Sequence, residues 1–266
     1  MGGLKLALKF VCFALVTIQV LAYFFQERLI FFPEKLPADF PLRFEGATEI
    51  SIPVDGAILS ALRFRVKNPR GIIVYFHGNA GSLSGWGDEG TMHAALGFDV
   101  LIYDYRGYGK STGRISSEDQ LVNDARAVLA EARKDFPDSK IVLFGRSLGT
   151  GLAVRLASEM KPALLILETP YLSLASIGRA RFPVVLPFLV RYPMRSDLYA
   201  PKVTAPTIIL HGTDDEVVPF VSGAALAERF TPPADLVKFP GGHHSDLSVF
   251  PGYRPTLERS LTVVPR

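Results

Sequence analysis

IVLFGRSLGTGLA, residues 141–153, sets an apolar run directly against three glycines and a serine. Two chemistries fit such a stretch. Either Ser147 is a nucleophile on a tight strand-to-helix turn, or Gly145, Gly149 and Gly151 cradle a phosphate and the serine is incidental. A dinucleotide loop needs G-x-G-x-x-G: counted from Gly149 the last glycine is replaced by Val154, and counted from Gly145 the pattern stops at Ser147. GYGKST, residues 107–112, resembles a nucleotide loop, but its first glycine would fall at Asp104. What the stretch does satisfy is G-x-S-x-G, as Gly145-Arg146-Ser147-Leu148-Gly149, between an apolar strand and an amphipathic helix. A chain that reverses so sharply holds its serine in strained backbone, and side chains two residues to either side would collide. The helix N-terminus behind the serine favours developing negative charge.

The surrounding pattern supports the same reading. GIIVYFH (71–77), FDVLIYDY (98–105), KIVLFG (140–145), ALLILET (163–169), PTIILHG (206–212) and DLVKFPG (235–241) are short, continuously apolar runs. Helix-length segments at 86–96, 117–134, 147–160, 220–230 and 246–260 separate or follow them. Strands this apolar are buried on both faces, as in a mostly parallel sheet between layers of helices, whose ligands bind beyond the carboxyl ends of the strands. Segment 117–134 predicts the clearest helix: Ser117 caps it, acids fill its first turn, and Leu121, Ala125, Val128, Leu129 and Ala132 form its buried stripe. Upstream, 48–54 and 58–66 flank Asp55-Gly56, a hairpin signal.

A serine hydroxyl needs a base and a group to orient that base. Of five histidines, His77 and His93 precede the serine, and His211 precedes the candidate acids and reads as a loop support. GGHHSDL leaves His243 and His244, of which His244 is preferred because the base must project from the loop before the final helix. HGTDDEVVP offers Asp214, Asp215 and Glu216; Asp215 is preferred, although a turn aspartate describes Asp214 equally well. Glu168 reads as a structural hydrogen-bonding group. FHGNAGS, 76–82, supplies a glycine-bearing loop in which the backbone N–H of Asn79 pairs with that of Leu148 as an oxyanion site, with His77 as a brace. No H-x-x-x-H or Cys/His spacing suggests a metal, and no cofactor is expected.

At 266 residues and 48% hydrophobic content, with no linker, the chain predicts one catalytic domain. A net charge of +3 from 29 basic and 26 acidic residues argues against a nucleic-acid partner. The one local excess, Arg179, Arg181, Arg191 and Arg195, fits a solvated, partly membrane-facing surface. Cys12 has no intrachain disulfide partner.

LALKFVCFALVTIQVLAYFF, residues 6–25, would form a helix about 30 Å long, enough to span a bilayer. No A-x-A site follows it, so a retained signal anchor over 1–27 in contact with membrane lipid is expected, with the hydrolytic domain over 28–266. Lys5 precedes the run and Lys9 lies in its first turn, which is expected to place the N-terminus in the cytoplasm and the domain on the other side.

With FHGNAGS, YDYRGYGKSTG, GRSLGTG, HGTDDEVVP and GGHHSDL in this order, the sequence resembles the α/β-hydrolase superfamily, and within it the membrane-anchored abhydrolase-domain serine hydrolases. The resemblance covers nearly the whole chain. It implies an α/β-hydrolase fold with Ser147 as nucleophile, Asp215 as acid, His244 as base, and Asn79 and Leu148 as oxyanion donors. It also favours His244 through Asp246, two residues later. It further implies that 171–200, containing RARFPVVLPFLVRYPMR, is a short cap insertion over a fairly open site. The substrate does not carry over with the resemblance; a small molecule or an acylated one is expected. The expected reaction is ester or thioester cleavage through an acyl-enzyme. The alternatives are a peptidase using the same residues and a catalytically silent membrane-tethered binding protein.

Overall fold

The computed structural model describes residues 2–265. The apolar runs form one eight-stranded sheet: β1 (Ala47–Val54), β2 (Ala57–Phe64), β3 (Ile72–Phe76), β4 (Asp99–Tyr103), β5 (Ile141–Arg146), β6 (Leu164–Glu168), β7 (Thr207–Gly212) and β8 (Asp235–Phe239). Their spatial order is β1-β2-β4-β3-β5-β6-β7-β8. The β1–β2 hairpin is antiparallel and joins β4 antiparallel; every other pairing is parallel.

Side-chain alternation divides the core between the two faces of the sheet. On β3, Ile72, Val74 and Phe76 enter one cluster with residues of α3 (Glu118–Arg133) and α4 (Leu148–Ala157). Ile73 and Tyr75 enter the other, with residues of α8 (Tyr253–Ser260). That two-residue period is the pleat of a strand buried on both sides. On the α3 face the cluster also takes in Leu226 and Ala227 of α7 (Phe220–Ala227). On the opposite face, α2 (Leu83–Ala94) contributes Leu83. Ser117 caps α3, its hydroxyl accepting from the Gln120 N–H at 3.1 Å, and all five residues of the predicted stripe are buried.

Two segments differ from expectation. The C-terminal helix is shorter than 246–260: a single 3-10 turn, Leu247–Val249, precedes the Pro251-Gly252 turn, and α8 begins at Tyr253. Proline cannot sit inside a helix without losing a hydrogen bond, which accounts for the break. The N-terminal helix α1 runs unbroken from Gly2 to Ile30, three residues beyond the expected boundary at 27. The segment after β6 contains α5 (Leu174–Arg181), an irregular stretch punctuated by prolines, and a four-residue helix α6 (Ser196–Tyr199).

Candidate active site

Strand β5 delivers the chain to Ser147, whose backbone lies at φ 49° and ψ −115°, a conformation that a non-glycine residue adopts only when its surroundings impose it. The flanking glycines allow the turn. A Cβ on Gly149 would stand 2.0 Å from the Phe76 carbonyl oxygen, and one on Gly145 would stand 2.7 Å from the Gly149 oxygen. The strand and the helix behind it therefore pack backbone against backbone, with Ser147 at the apex.

The end of β7 and the loop after β8 bring the other two groups to that apex. His244 Nε2 is 2.9 Å from Ser147 Oγ. His244 Nδ1 is 2.9 Å and 3.1 Å from the two Asp215 carboxylate oxygens. A carboxylate only accepts, so Nδ1 carries the proton and Nε2 offers a lone pair to the serine hydroxyl. Asp215 is buried, and its Oδ1 accepts from the N–H groups of Val217 and Val218 at 2.9 and 2.8 Å. Burial raises its pKa, but hydrogen bonds from His211 and His244, with the His244 charge and the Val218 N–H, outweigh that effect. The carboxyl is held well below the ordinary range.

The neighbouring candidates lie elsewhere. Asp214 is exposed and accepts from the Thr213 hydroxyl. His243 is exposed and pairs with Glu216 at 3.1 Å. Asp246 accepts from the His243 N–H at 2.7 Å and so shapes the turn that presents His244. His211 is a buried support: its Nε2 is 2.9 Å from the Val218 carbonyl and 3.3 Å from Asp215. Glu168 accepts from the Tyr253 hydroxyl and pairs with Arg146 at 3.0 Å, behind the apex rather than in it. His77 is fully buried, with Nδ1 donating to the Gly78 carbonyl at 2.7 Å, and burial pushes its pKa down to about 4.

Asn79 and Leu148 both line the cavity in front of Ser147. The Asn79 carbonyl accepts from the Phe32 N–H (2.9 Å) and the Tyr108 hydroxyl (2.7 Å), and its side-chain amide donates to the Ile30 carbonyl (3.0 Å). Those bonds fix the peptide; among the described residues, neither the Asn79 nor the Leu148 N–H donates to a protein acceptor.

The cavity, of about 820 Å³, runs from Ser147 between the cap and helix α1. The cap contributes Leu174, Ile177, Phe182, Val185 and Leu189; α1 contributes Ile18, Leu21, Ala22, Phe25, Leu29 and Ile30. The second wall was not foreseen from sequence, which treats α1 as an anchor alone. One signal was available: Gln19, Gln26 and Glu27 sit in the C-terminal half of a largely apolar helix, and polar groups at such positions need protein partners.

The Serine aminopeptidase, S33 family model matches residues 67–198. An uncharacterised protein of Mycobacterium tuberculosis is 33% identical, the match covering 90% of this chain and 88% of its own. Alpha/beta hydrolase domain-containing protein 17B of Xenopus tropicalis is 30% identical, over 73% of this chain and 67% of its own. Among solved structures, an esterase of Pyrococcus furiosus superposes with a TM-score of 0.69 at 21% identity, covering 88% of this chain and 97% of that one. Est1E of Butyrivibrio proteoclasticus, solved with ferulic acid, gives 0.65 at 22% identity over 80% and 99%. Sheet order, turn geometry and relatives agree: this chain is a hydrolase and belongs to the α/β-hydrolase superfamily.

Proposed function

We propose that the protein is a serine hydrolase that cleaves carboxylic ester or thioester bonds through an acyl-enzyme. The observation that carries the reading is the continuous relay from Ser147 Oγ through His244 to Asp215. As Ser147 Oγ bonds to the acyl carbon, its proton passes to His244 Nε2 and the carbonyl π pair moves to oxygen. That oxyanion faces the N–H groups of Leu148 and Asn79; one such donor is typically worth about 10²–10³ in turnover. Collapse breaks the C–O or C–S bond, and the leaving alcohol or thiol takes the proton from His244. Water then attacks the acyl-enzyme, giving its proton to His244, and Ser147 recovers that proton as the carboxylic acid departs. Asp215 stays ionised throughout, fixing the imidazole orientation and stabilising the imidazolium.

A peptidase reading has one observation in its favour, the description of the matching family model. The charges at the cavity weigh against it: among the described residues Arg28, Arg179 and Arg181 line the space and no carboxylate does, which disfavours a substrate α-amine. A silent binding protein has no use for the assembled relay. Helix α1 is the one described helix long and apolar enough to cross a membrane. We read it as an anchor, with the N-terminus cytoplasmic and the hydrolytic domain on the opposite face. The test of the reaction is turnover of p-nitrophenyl esters and acyl thioesters beside aminoacyl p-nitroanilides, for the full chain and Ser147→Ala. Ester or thioester turnover abolished by the substitution is expected; turnover confined to the anilides would replace this reading with the peptidase one.

A further inference from the structure

We propose that helix α1 is a substrate-binding element as well as an anchor: it forms one wall of the acyl site, so that a long acyl chain lies between α1 and the cap at the depth of the bilayer. This rests on the acyl-transfer reading above.

Three independent observations lead to it. The first is continuity. The cavity holding Ser147 and Leu148 also holds six apolar residues of α1 spread from Ile18 to Ile30, about 18 Å of helix. The second is attachment. Gln19 donates to the Val184 carbonyl at 2.8 Å and accepts from the Leu186 N–H at 2.9 Å. Two turns on, Gln26 donates to the Leu189 carbonyl at 3.2 Å and accepts from the Arg191 N–H at 2.7 Å. Glu27 adds an ion pair to Arg191 and accepts from the Tyr192 hydroxyl. Both glutamines satisfy their amides on cap backbone, so the face of α1 that carries them is docked rather than turned to lipid. They are positioning residues for the wall.

The third observation is depth. About 20 residues are needed to cross the hydrocarbon, and the apolar run is 6–25. Its last eight residues, 18–25, include four of the six apolar α1 residues that wall the cavity, so a span long enough to cross submerges that end of the cavity. The cap is built to match, exposing Phe182, Val184, Leu186 and Phe188. Arg179 and Arg181, whose long stems let a charged head reach the interface, line the same space. An acyl chain already in the bilayer therefore meets the cavity without crossing water. The occupant the site fits is the chain of a membrane-resident acyl ester or thioester. Each methylene buried there is worth about fourfold in binding.

The test compares kcat/KM for p-nitrophenyl hexadecanoate and p-nitrophenyl butanoate in mixed micelles, using the full-length protein. Ala22→Trp and Ile18→Trp fill the α1 wall, and Val11→Trp adds the same bulk on α1 outside the cavity. Fluorophosphonate labelling of each protein reports whether the Ser147 site is assembled. The expected result is a hexadecanoate-to-butanoate ratio lowered about tenfold or more in Ala22→Trp and Ile18→Trp, through displacement of two or more methylenes. Val11→Trp should keep the wild-type ratio. An unchanged ratio in both filled variants, with labelling intact, would overturn the role of α1 and leave the acyl-transfer reading standing. A wild-type protein that neither labels nor turns over either ester would overturn both.

Discussion

At the scale of single residues, position in the chain revealed more than residue type. Gly145, Ser147 and Gly149 were legible because steric necessity leaves few ways to write a strand that reverses into a helix, and Cβ distances of 2.7 and 2.0 Å show how little room there is. Asp214 and Asp215 were not separable from their neighbours alone. What distinguishes them is burial and two backbone N–H donors, both properties of the folded loop. Asp104 carries a residue-scale consequence that no motif announces. Its carboxyl is buried, accepts from the Leu83 N–H at 3.0 Å, and stands 3.7 Å from a neutral His77. Burial raises its pKa to about 7. The folded value lies above the unfolded value of about 3.9, so its stabilising contribution is complete below pH 4 and is lost as pH rises towards 7. Asp104→Asn mimics the neutral carboxyl. The stability of the variant minus that of the wild type should therefore increase from pH 4 to pH 8, by up to about 4 kcal/mol. Unfolding midpoints at both pH values check this; a difference that does not change with pH would show that Asp104 keeps one protonation state.

Among the elements, the buried strands were the most legible, because an unbroken apolar run of four to seven residues bounded by glycine or polar turns has few other solutions. Their pairing order required the crossovers that only the fold supplies. Helix α1 was read correctly as a long apolar helix, but its docking was not, since apolar side chains facing lipid and apolar side chains facing a cavity look alike in sequence. The distinction lies in Gln19 and Gln26, whose partners are 165 and 163 residues away. The orientation of α1 yields its own prediction. Lys5 before the span and Lys9 in its first turn, against Arg28 after it, are the basis on which we propose that the domain lies on the non-cytoplasmic face. In sealed vesicles of known sidedness, protease added from the non-cytoplasmic side should digest the domain and protease on the cytoplasmic side should spare it. The opposite pattern would reverse the topology.

Across the whole molecule, the site exists because three segments far apart in sequence end at one edge of a single sheet. The turn after β5 carries the hydroxyl, the loop after β7 the carboxylate, and the loop after β8 the imidazole. Helix α1 and the cap then enclose the space in front of them. Sequence supplied the ends of the strands and the order of the chemical groups; their convergence within hydrogen-bonding distance belongs to the fold. The measurement that bears on this convergence most directly is the rate and site of fluorophosphonate labelling, read by peptide mass spectrometry on wild type, Ser147→Ala and His244→Ala. A single adduct on Ser147, absent in Ser147→Ala and formed about 10² times more slowly or worse without the imidazole, is the predicted result. An adduct on another residue, or a labelling rate unchanged in His244→Ala, would contradict the relay.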